Sequence, residues 1–125
     1  MLKWKFHKAE RPQVPTLKHR DTSYVQVRPG LRRLFIHTEH LMTVINEFTD
    51  GPWNEPEPPH SHPHEQTGYM ADGEVIFYCK GEDDRHLKPG DMFSVPPNTP
   101  HTIKCLTPVV RIVDSFTPIR EDFIQ

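Results

Sequence analysis

The 125-residue sequence lacks the features that define several classes of protein. No apolar run approaches the roughly 18 residues of a membrane-spanning helix. The formal net charge of −2 gives no electrostatic reason to expect nucleic acid or an anionic membrane as a partner. The two cysteines, Cys79 and Cys105, match neither a CxxC motif nor a disulfide-rich scaffold. We therefore expect a small molecule as the partner.

The amino-terminal segment also lacks a targeting signal. The opening residues MLKWKFHKAE carry charges where a signal peptide needs its apolar stretch, so the sequence predicts a cytoplasmic protein. Residues 1–26 are predicted to form an arm, because their first 20 residues are basic, proline-punctuated and weakly patterned. Residues 27–125 are predicted to form a single domain, which is also what the chain length favours.

No segment shows a convincing helical period over three turns, and the strong signals are for strands. Short runs rich in β-branched and aromatic residues alternate with turn signals such as Asp72-Gly73 and Pro89-Gly90-Asp91. Many short strands at near-regular spacing predict an all-β sandwich or barrel. The predicted strands are residues 34–38, 41–48, 74–79, 92–95, 101–105 and 109–116.

Histidines are concentrated in one stretch, PPHSHPHEQTGYM. In an extended strand His60 and His62 point the same way, so their imidazoles can converge on one ion. Gln66 lies four residues beyond His62, after a proline turn, and His101 opens a strand after a rigid proline-rich turn. Imidazole nitrogens with one amide oxygen suit Zn²⁺, Ni²⁺, Fe²⁺ or Mn²⁺ and argue against an oxygen cage for Ca²⁺ or Mg²⁺. The alternative interpretation of this stretch is a solvated polar loop.

The wider pattern resembles the two sequence motifs of the cupin superfamily. The residues that carry the resemblance are HSHPHEQTGYMADGE (60–74), PGD (89–91) and VPPNTPH (95–101). The resemblance implies a double-stranded β-helix, which is an antiparallel jelly-roll barrel, and one divalent transition metal ion (Zn, Ni, Fe or Mn). The ligands that it implies are His60, His62, Gln66 and His101.

Two further expectations follow from this resemblance. His64 shares the parity of the other two histidines in its stretch, but Pro63 breaks regular strand geometry and cupin-like chains leave this position out of the ligand set. Many cupins pair through their sheets, and the hydrophobic and basic residues 2–6 have no evident place in a minimal barrel. We therefore expect a homodimer in which the arm packs on the partner subunit.

The end of the chain carries a second set of candidate residues. Ile112, Asp114 and Phe116 share one face of the last predicted strand, and two of them are apolar, so Asp114 is predicted to be buried. A buried carboxylate is costly unless it is paired, and such a residue often has a function. Arg120 follows beyond a proline and could fold over the barrel mouth, with Asp114 or an anionic substrate as its partner. The alternative is a closing strand with an ordinary charged tail.

The segments VRPGLRR (27–33), PHSHPHEQ (59–66) and DSFTPIREDF (114–123) are together similar to small single-domain cupins of the KdgF type, which linearise unsaturated uronates. This resemblance implies that Asp114 and Arg120 are catalytic, and that Phe116 and Arg120 bind a carboxylate-bearing sugar. Two other functions stay open. Three histidines around an open coordination position also suit an Fe- or Mn-dependent dioxygenase, and the same barrel suits a non-catalytic module that binds a sugar or small acid.

Overall fold

The structure is a computed structural model, and it describes residues 16–124. Within this range the chain forms mostly antiparallel strands, preceded by a 3₁₀ helix at His19–Asp21 and followed by the short helix α1 at Glu121–Ile124. The strands are β1 (Val25–Arg28), β2 (Leu31–His37), β3 (Met42–Phe48), β4 (Glu65–Asp72), β5 (Val75–Cys79), β6 (Arg85–Leu87), β7 (Met92–Val95), β8 (His101–Cys105) and β9 (Val110–Thr117).

The strands form two antiparallel sheets. The larger sheet has the order β1-β2-β3-β9-β4-β7, and the smaller has the order β6-β5-β8. The residues between β3 and β4 run beside β8, since Trp53 N donates to Cys105 O at 2.9 Å and Glu57 N donates to Ile103 O at 3.3 Å. This architecture confirms the predicted single-domain, all-β jelly roll. Within residues 16–124 no helix has the length and apolar character needed to cross a membrane.

Three strands were not predicted, and β4 matters most because it carries part of the candidate site. Its buried side is formed by Gln66, Gly68 and Met70, so the inward face has a polar residue and a glycine where a typical strand has large apolar residues. Gly68 is required there by space, because a Cβ at this position would overlap the ring of Phe93 on β7. The sequence of β4 therefore lacks the alternation of apolar and polar residues that identified other strands.

The boundary between the predicted arm and barrel falls close to β1. Val25 and Gln26 already pair with Arg33 and Arg32 of β2, so the large sheet begins two residues before the predicted start of the domain at residue 27. Residues 1–15, which make up most of the predicted arm, lie outside the described part of the chain. The division into arm and barrel, and the pairing of the arm with a partner subunit, stay predictions.

The inward faces of the two sheets form the core. On β9 every second residue is buried, which places Ile112, Asp114 and Phe116 on one inner face, as the alternation predicts. The larger apolar cluster comes from both sheets and includes Met70, Val75 and Cys105, each with no exposed surface. The smaller cluster packs Met42 and Val44 of β3 against Phe116, with Ile119 and Phe123 of the carboxy-terminal segment beside them.

Two salt bridges to the buried carboxylate of Glu47 hold the strands of the large sheet together away from the core. The Glu47 side chain on β3 is 3% exposed. It accepts hydrogen bonds from Arg32 Nε at 2.7 Å and from Arg111 Nη2 at 2.7 Å. We expect Glu47→Gln to lower the free energy of unfolding by about 2 kcal/mol, because charge-assisted bonds to a buried group are lost. Urea unfolding monitored by circular dichroism measures this change, and Glu74→Gln, at a half-exposed carboxylate beside His86, is the matched control. An equal loss in the two variants would contradict the assignment.

Candidate metal centre and active site

Three imidazoles meet where the segment before β4 lies against the start of β8. His60 and His101 form an antiparallel bridge, in which His60 N donates to His101 O at 3.1 Å and His101 N donates to His60 O at 3.0 Å. Asn98 N donates to His62 O at 2.7 Å and ties the next residues to the proline-rich turn. One ring nitrogen from each of the three histidines lies within 4.8 Å of the others.

The hydrogen bonds around two of these rings leave lone pairs aimed into the cluster. His101 Nδ1 lies 2.8 Å from the carbonyl oxygen of Thr99, which can only accept, so Nδ1 carries the proton. His101 Nε2 is then a buried acceptor with no partner among the described residues. His62 Nδ1 likewise donates to His64 O at 3.0 Å, so its unprotonated Nε2 faces a second acceptor, Gln66 Oε1, at 3.1 Å. Metal-ligating histidines are typically fixed in this way by a carbonyl on the other nitrogen.

Gln66 presents its amide oxygen to the histidines because its nitrogen is held elsewhere. Gln66 Nε2 donates to Asp114 Oδ1 at 2.9 Å, which orients Oε1 toward His62. The structure therefore brings together the side chains predicted as ligands, His60, His62, Gln66 and His101. A cation among these acceptors would satisfy the buried Nε2 of His101 and separate two acceptors that now face each other. Neutral nitrogen and amide oxygen donors fit a transition metal ion.

The electrostatics of the cluster favour the neutral imidazole, which is the form that binds metal. His60 is exposed at the rim, but its ring lies 4.4 Å from that of His101 between centroids. Desolvation first, and then the neighbouring imidazoles and Arg120, lower the pKa of His60 to about 4. Desolvation also lowers the pKa values of His62 and His101. Near neutral pH these three residues therefore offer lone pairs and no positive charge.

His64 lies beside the cluster, with its ring centroid 5.4 Å from that of His62, and its ring is bonded to the carboxy-terminal segment. Its Nε2 lies 3.2 Å from the carbonyl oxygen of Ile119, to which it donates, and its own carbonyl accepts from His62. Its ring nitrogens are not among those that converge within 4.8 Å. This placement agrees with the expectation that His64 stays out of the ligand set.

A row of polar side chains crosses the inner face of the large sheet and ends at the cluster. Arg33 Nε on β2 donates to Asn46 Oδ1 on β3 at 2.8 Å. Asn46 Nδ2 donates to Asp114 Oδ2 on β9 at 2.9 Å, and Asp114 Oδ1 accepts from Gln66 on β4. Four adjacent strands thus link a guanidinium to the candidate metal ligands through one carboxylate.

Asp114 is 5% exposed, and its environment alters its acidity. Desolvation raises the pKa of Asp114 to about 6, against the opposing effect of the hydrogen bonds from Gln66 and Asn46 and of the positive charges of Arg33 and Arg120. A carboxyl group with a pKa near neutrality can both give and take a proton under physiological conditions. The predicted burial of this residue is confirmed, and it lies at the wall of a cavity.

The cavity has a volume of about 190 Å³ and opens beside the histidines. Its walls combine the polar row with aromatic and aliphatic side chains from both sheets. The residues that line it are Leu31, Arg33, Asn46, Phe48, Glu57, His60, Gln66, Phe77, Phe93, His101, Thr102, Ile103, Ile112, Asp114, Phe116, Arg120 and Phe123.

Arg120 folds over the cavity as predicted, but its partner within the chain is different. Nε and Nη2 of Arg120 donate to the two carboxylate oxygens of Asp122 at 3.0 and 2.9 Å, and Asp114 is not within ion-pair distance. Its guanidinium carbon also lies 5.1 Å from the ring centroid of Phe116 and 4.3 Å from that of Phe123. Arg120 pairs with Asp122 because this carboxylate lies two residues further along the same turn, where a bidentate ion pair forms without the guanidinium entering the core.

Comparison with known proteins identifies the family. Residues 50–113 match the family model described as a cupin domain. The chain belongs to the cupin family. It is 31% identical over 106 residues to the pectin degradation protein KdgF of Dickeya dadantii (strain 3937), an alignment that covers 83% of this chain and 93% of the relative.

Two solved structures support the assignment of this chain to the cupin family. The structure of KdgF from Halomonas sp. is 34% identical, with a TM-score of 0.76, and the match covers 85% of this chain and 96% of that one. An RmlC-like cupin from Shewanella frigidimarina NCIMB 400 is 31% identical, with a TM-score of 0.79, covering 90% of this chain and 97% of that one. The family resemblance seen in the sequence is confirmed.

Sequence reasoning missed several polar residues of this cupin's cavity, and among them Arg33 and Asn46 belong to the polar row. A signal for Asn46 exists, since it shares a strand face with Met42, Val44 and Phe48, and a polar residue on an apolar face was the clue that singled out Asp114. Arg33 stands two residues after the buried Leu31 on β2, but an arginine beside a second arginine also fits an exposed edge. Only the register of β2 with β3 places it on the polar row.

Proposed function

We propose that this cupin is a metal-dependent enzyme that opens the ring of 4,5-unsaturated uronates. The observation that carries the proposal is the position of Asp114, a buried carboxyl group on the cavity wall that is bonded to Gln66 beside the three histidines. The relatives named KdgF, one of them a pectin degradation protein, support a uronate as the substrate. The homodimer and the cytoplasmic location remain predictions.

The proposed reaction adds water across the enol ether of the substrate. A proton goes to C4, the oxygen of water bonds to C5, and the bond between C5 and the ring oxygen then breaks. The electron pair leaves with the ring oxygen, which takes up one proton of the added water, while the other proton restores the acid. C5 becomes a ketone in an open-chain acid, and the reaction needs no oxidant.

The residues of the cavity divide this work. Asp114 gives and regains the proton, for which its pKa of about 6 is suited. Phe116 and Arg120 bind the sugar acid, with the aromatic ring against the sugar and Nη1 of the guanidinium, which Asp122 leaves free, toward its carboxylate. A divalent transition metal ion held by the histidines and Gln66 would supply Lewis acidity toward substrate oxygens.

We expect Arg120→Ala to raise KM for the uronate by at least about tenfold, with a smaller effect on kcat, because a guanidinium that contacts a desolvated carboxylate contributes mainly to binding. Steady-state kinetics on the purified variant give both constants. The matched control is Arg85→Ala, which removes an exposed arginine of β6 outside the cavity. An unchanged KM would remove Arg120 from the substrate site.

The experiment that tests the proposed function follows the ultraviolet absorbance of the conjugated uronate with and without oxygen. Loss of absorbance at the same rate in both atmospheres, with an open-chain keto acid as the product by NMR, is the expected result. Turnover that requires oxygen would instead indicate a dioxygenase. Binding without turnover across unsaturated uronates and small keto acids would indicate a sugar- or acid-binding module, and either result would refute the proposal.

A further inference from the structure

A second guanidinium lines the cavity, and the proposed function does not use it. Arg33 stands on the inner face of β2 and is half-buried. Its Nε is held by Asn46, and its guanidinium carbon lies 3.7 Å from the ring centroid of Phe123, so one edge and one face are fixed by the protein. Its terminal Nη groups donate no hydrogen bond to any residue between 16 and 124.

The charges around the cavity distinguish this arginine from its neighbours. The Nε and Nη2 edge of Arg120 is occupied by Asp122, and Arg28, at the barrel end, is paired with Glu57. Within the described part of the chain, no carboxylate lies within 4.0 Å of Arg33. Desolvation, followed by the charge of Arg120, lowers the pKa of Arg33, against the opposing charges of Asp122 and Asp114.

We propose that Arg33 is a substrate-binding residue that receives the carboxylate of a sugar acid through its two Nη groups. A planar guanidinium with one edge fixed and one edge free suits a bidentate bond to a carboxylate. Phe123 lies between the two arginines, since its ring is stacked by Arg33 on β2 and by Arg120 in the carboxy-terminal turn. Arg120 covers the cavity from that turn, whereas Arg33 is anchored in the sheet.

The placement of Arg33 also orients the substrate relative to the candidate acid. Arg33 and Asp114 are both bonded to the side chain of Asn46, so they are separated by one amide on the same sheet face. A carboxylate on C5 of the sugar held by Arg33 would bring the neighbouring C4 toward the Asp114 side of the cavity. The inference deepens the proposed function and rests on it for the identity of the substrate.

The test measures binding in the absence of turnover. Isothermal titration calorimetry on the metal-loaded protein compares galacturonate with galactose, which differ in the carboxylate. We expect the wild-type protein to prefer galacturonate by at least about a hundredfold, and Arg33→Met to lower this preference by at least about tenfold, to the level that Arg120 alone provides. Arg85→Met, at an exposed arginine, is the control and should keep the preference.

A second variant excludes a purely structural role. Arg33→Lys keeps the charge but not the planar fork, so it should retain part of the preference. A structural role would weaken binding of galactose as much as binding of galacturonate, and that result would overturn the inference. So would a wild-type protein without a preference for the acid. If galacturonate binds through Arg33 but no unsaturated uronate is converted, the inference stands and the proposed reaction fails.

Discussion

Asp114→Asn should lower kcat for unsaturated uronates by about 10²–10⁴-fold, which is the usual contribution of a positioned acid or base. The amide has nearly the size of the carboxyl group but cannot exchange the proton that the reaction requires. The fold should persist, because the amide oxygen can still accept from Asn46 or Gln66, although the other of these two donors loses its acceptor. Stopped assays under single-turnover conditions measure the chemical step directly.

The control for this variant is a second buried carboxylate on the same sheet. Glu47 is buried but does not line the cavity, so Glu47→Gln should reduce stability and leave the rate per folded molecule unchanged. Metal content must be measured together with the rate, because Asp114 also orients Gln66. If Asp114→Asn loses its metal in proportion to its rate, the residue acts by holding Gln66 and is not the proton donor.

His101→Ala should remove most of the metal that the wild-type protein holds, which we expect to be about one ion per chain. The buried Nε2 of His101 has no hydrogen-bond partner in the described part of the chain, so the variant loses a lone pair that is free to bind the ion. His62→Ala should behave in the same way, since its Nε2 also faces the cluster. Inductively coupled plasma mass spectrometry on protein purified without chelator gives the metal occupancy.

His64→Ala is the matched control for the metal site. It removes an imidazole from the same five-residue stretch, but one that bonds to Ile119 and does not converge with the other three. We expect its occupancy to stay close to the wild-type value. Equal metal loss from His64→Ala and His101→Ala would show that the ligand set is assigned wrongly.

The candidate site divides into parts that the sequence could predict and a part that it could not. The spacing of His60 and His62 and the alternation around Asp114 are local patterns. The two imidazoles converge, and the carboxyl group is buried, as these patterns predict. His60 reaches the cluster through a single bridge to His101, although it is not part of a regular strand. The spacing of the histidines predicts their convergence correctly because the segment before β4 runs extended along β8.

The polar row depends on long-range register, which no local pattern contains. Arg33 meets Asn46 because β2 and β3 pair with those residues opposite each other, and Asp114 lies across the next strand boundary. A shift of one residue would turn Arg33 to the outer face of the sheet. The ion pair of Arg120 with Asp122 was not predicted for a related reason, since the carboxy-terminal turn brings Asp122 back toward it. Of the two partners expected for Arg120, Asp114 is not within ion-pair distance, and an anionic substrate stays a prediction.

Uronate ring opening should depend on a metal ion that the histidine cluster holds. The most direct measurement is an anaerobic titration of chelator-treated protein with the metal found in the native preparation, with the loss of uronate absorbance as the readout. Activity should be absent at first and should rise in proportion to added metal up to about one equivalent per chain. In His101→Ala the same titration should restore almost nothing. Full activity in the chelated protein, or recovery in the His101→Ala variant equal to that of the wild type, would contradict this dependence on metal.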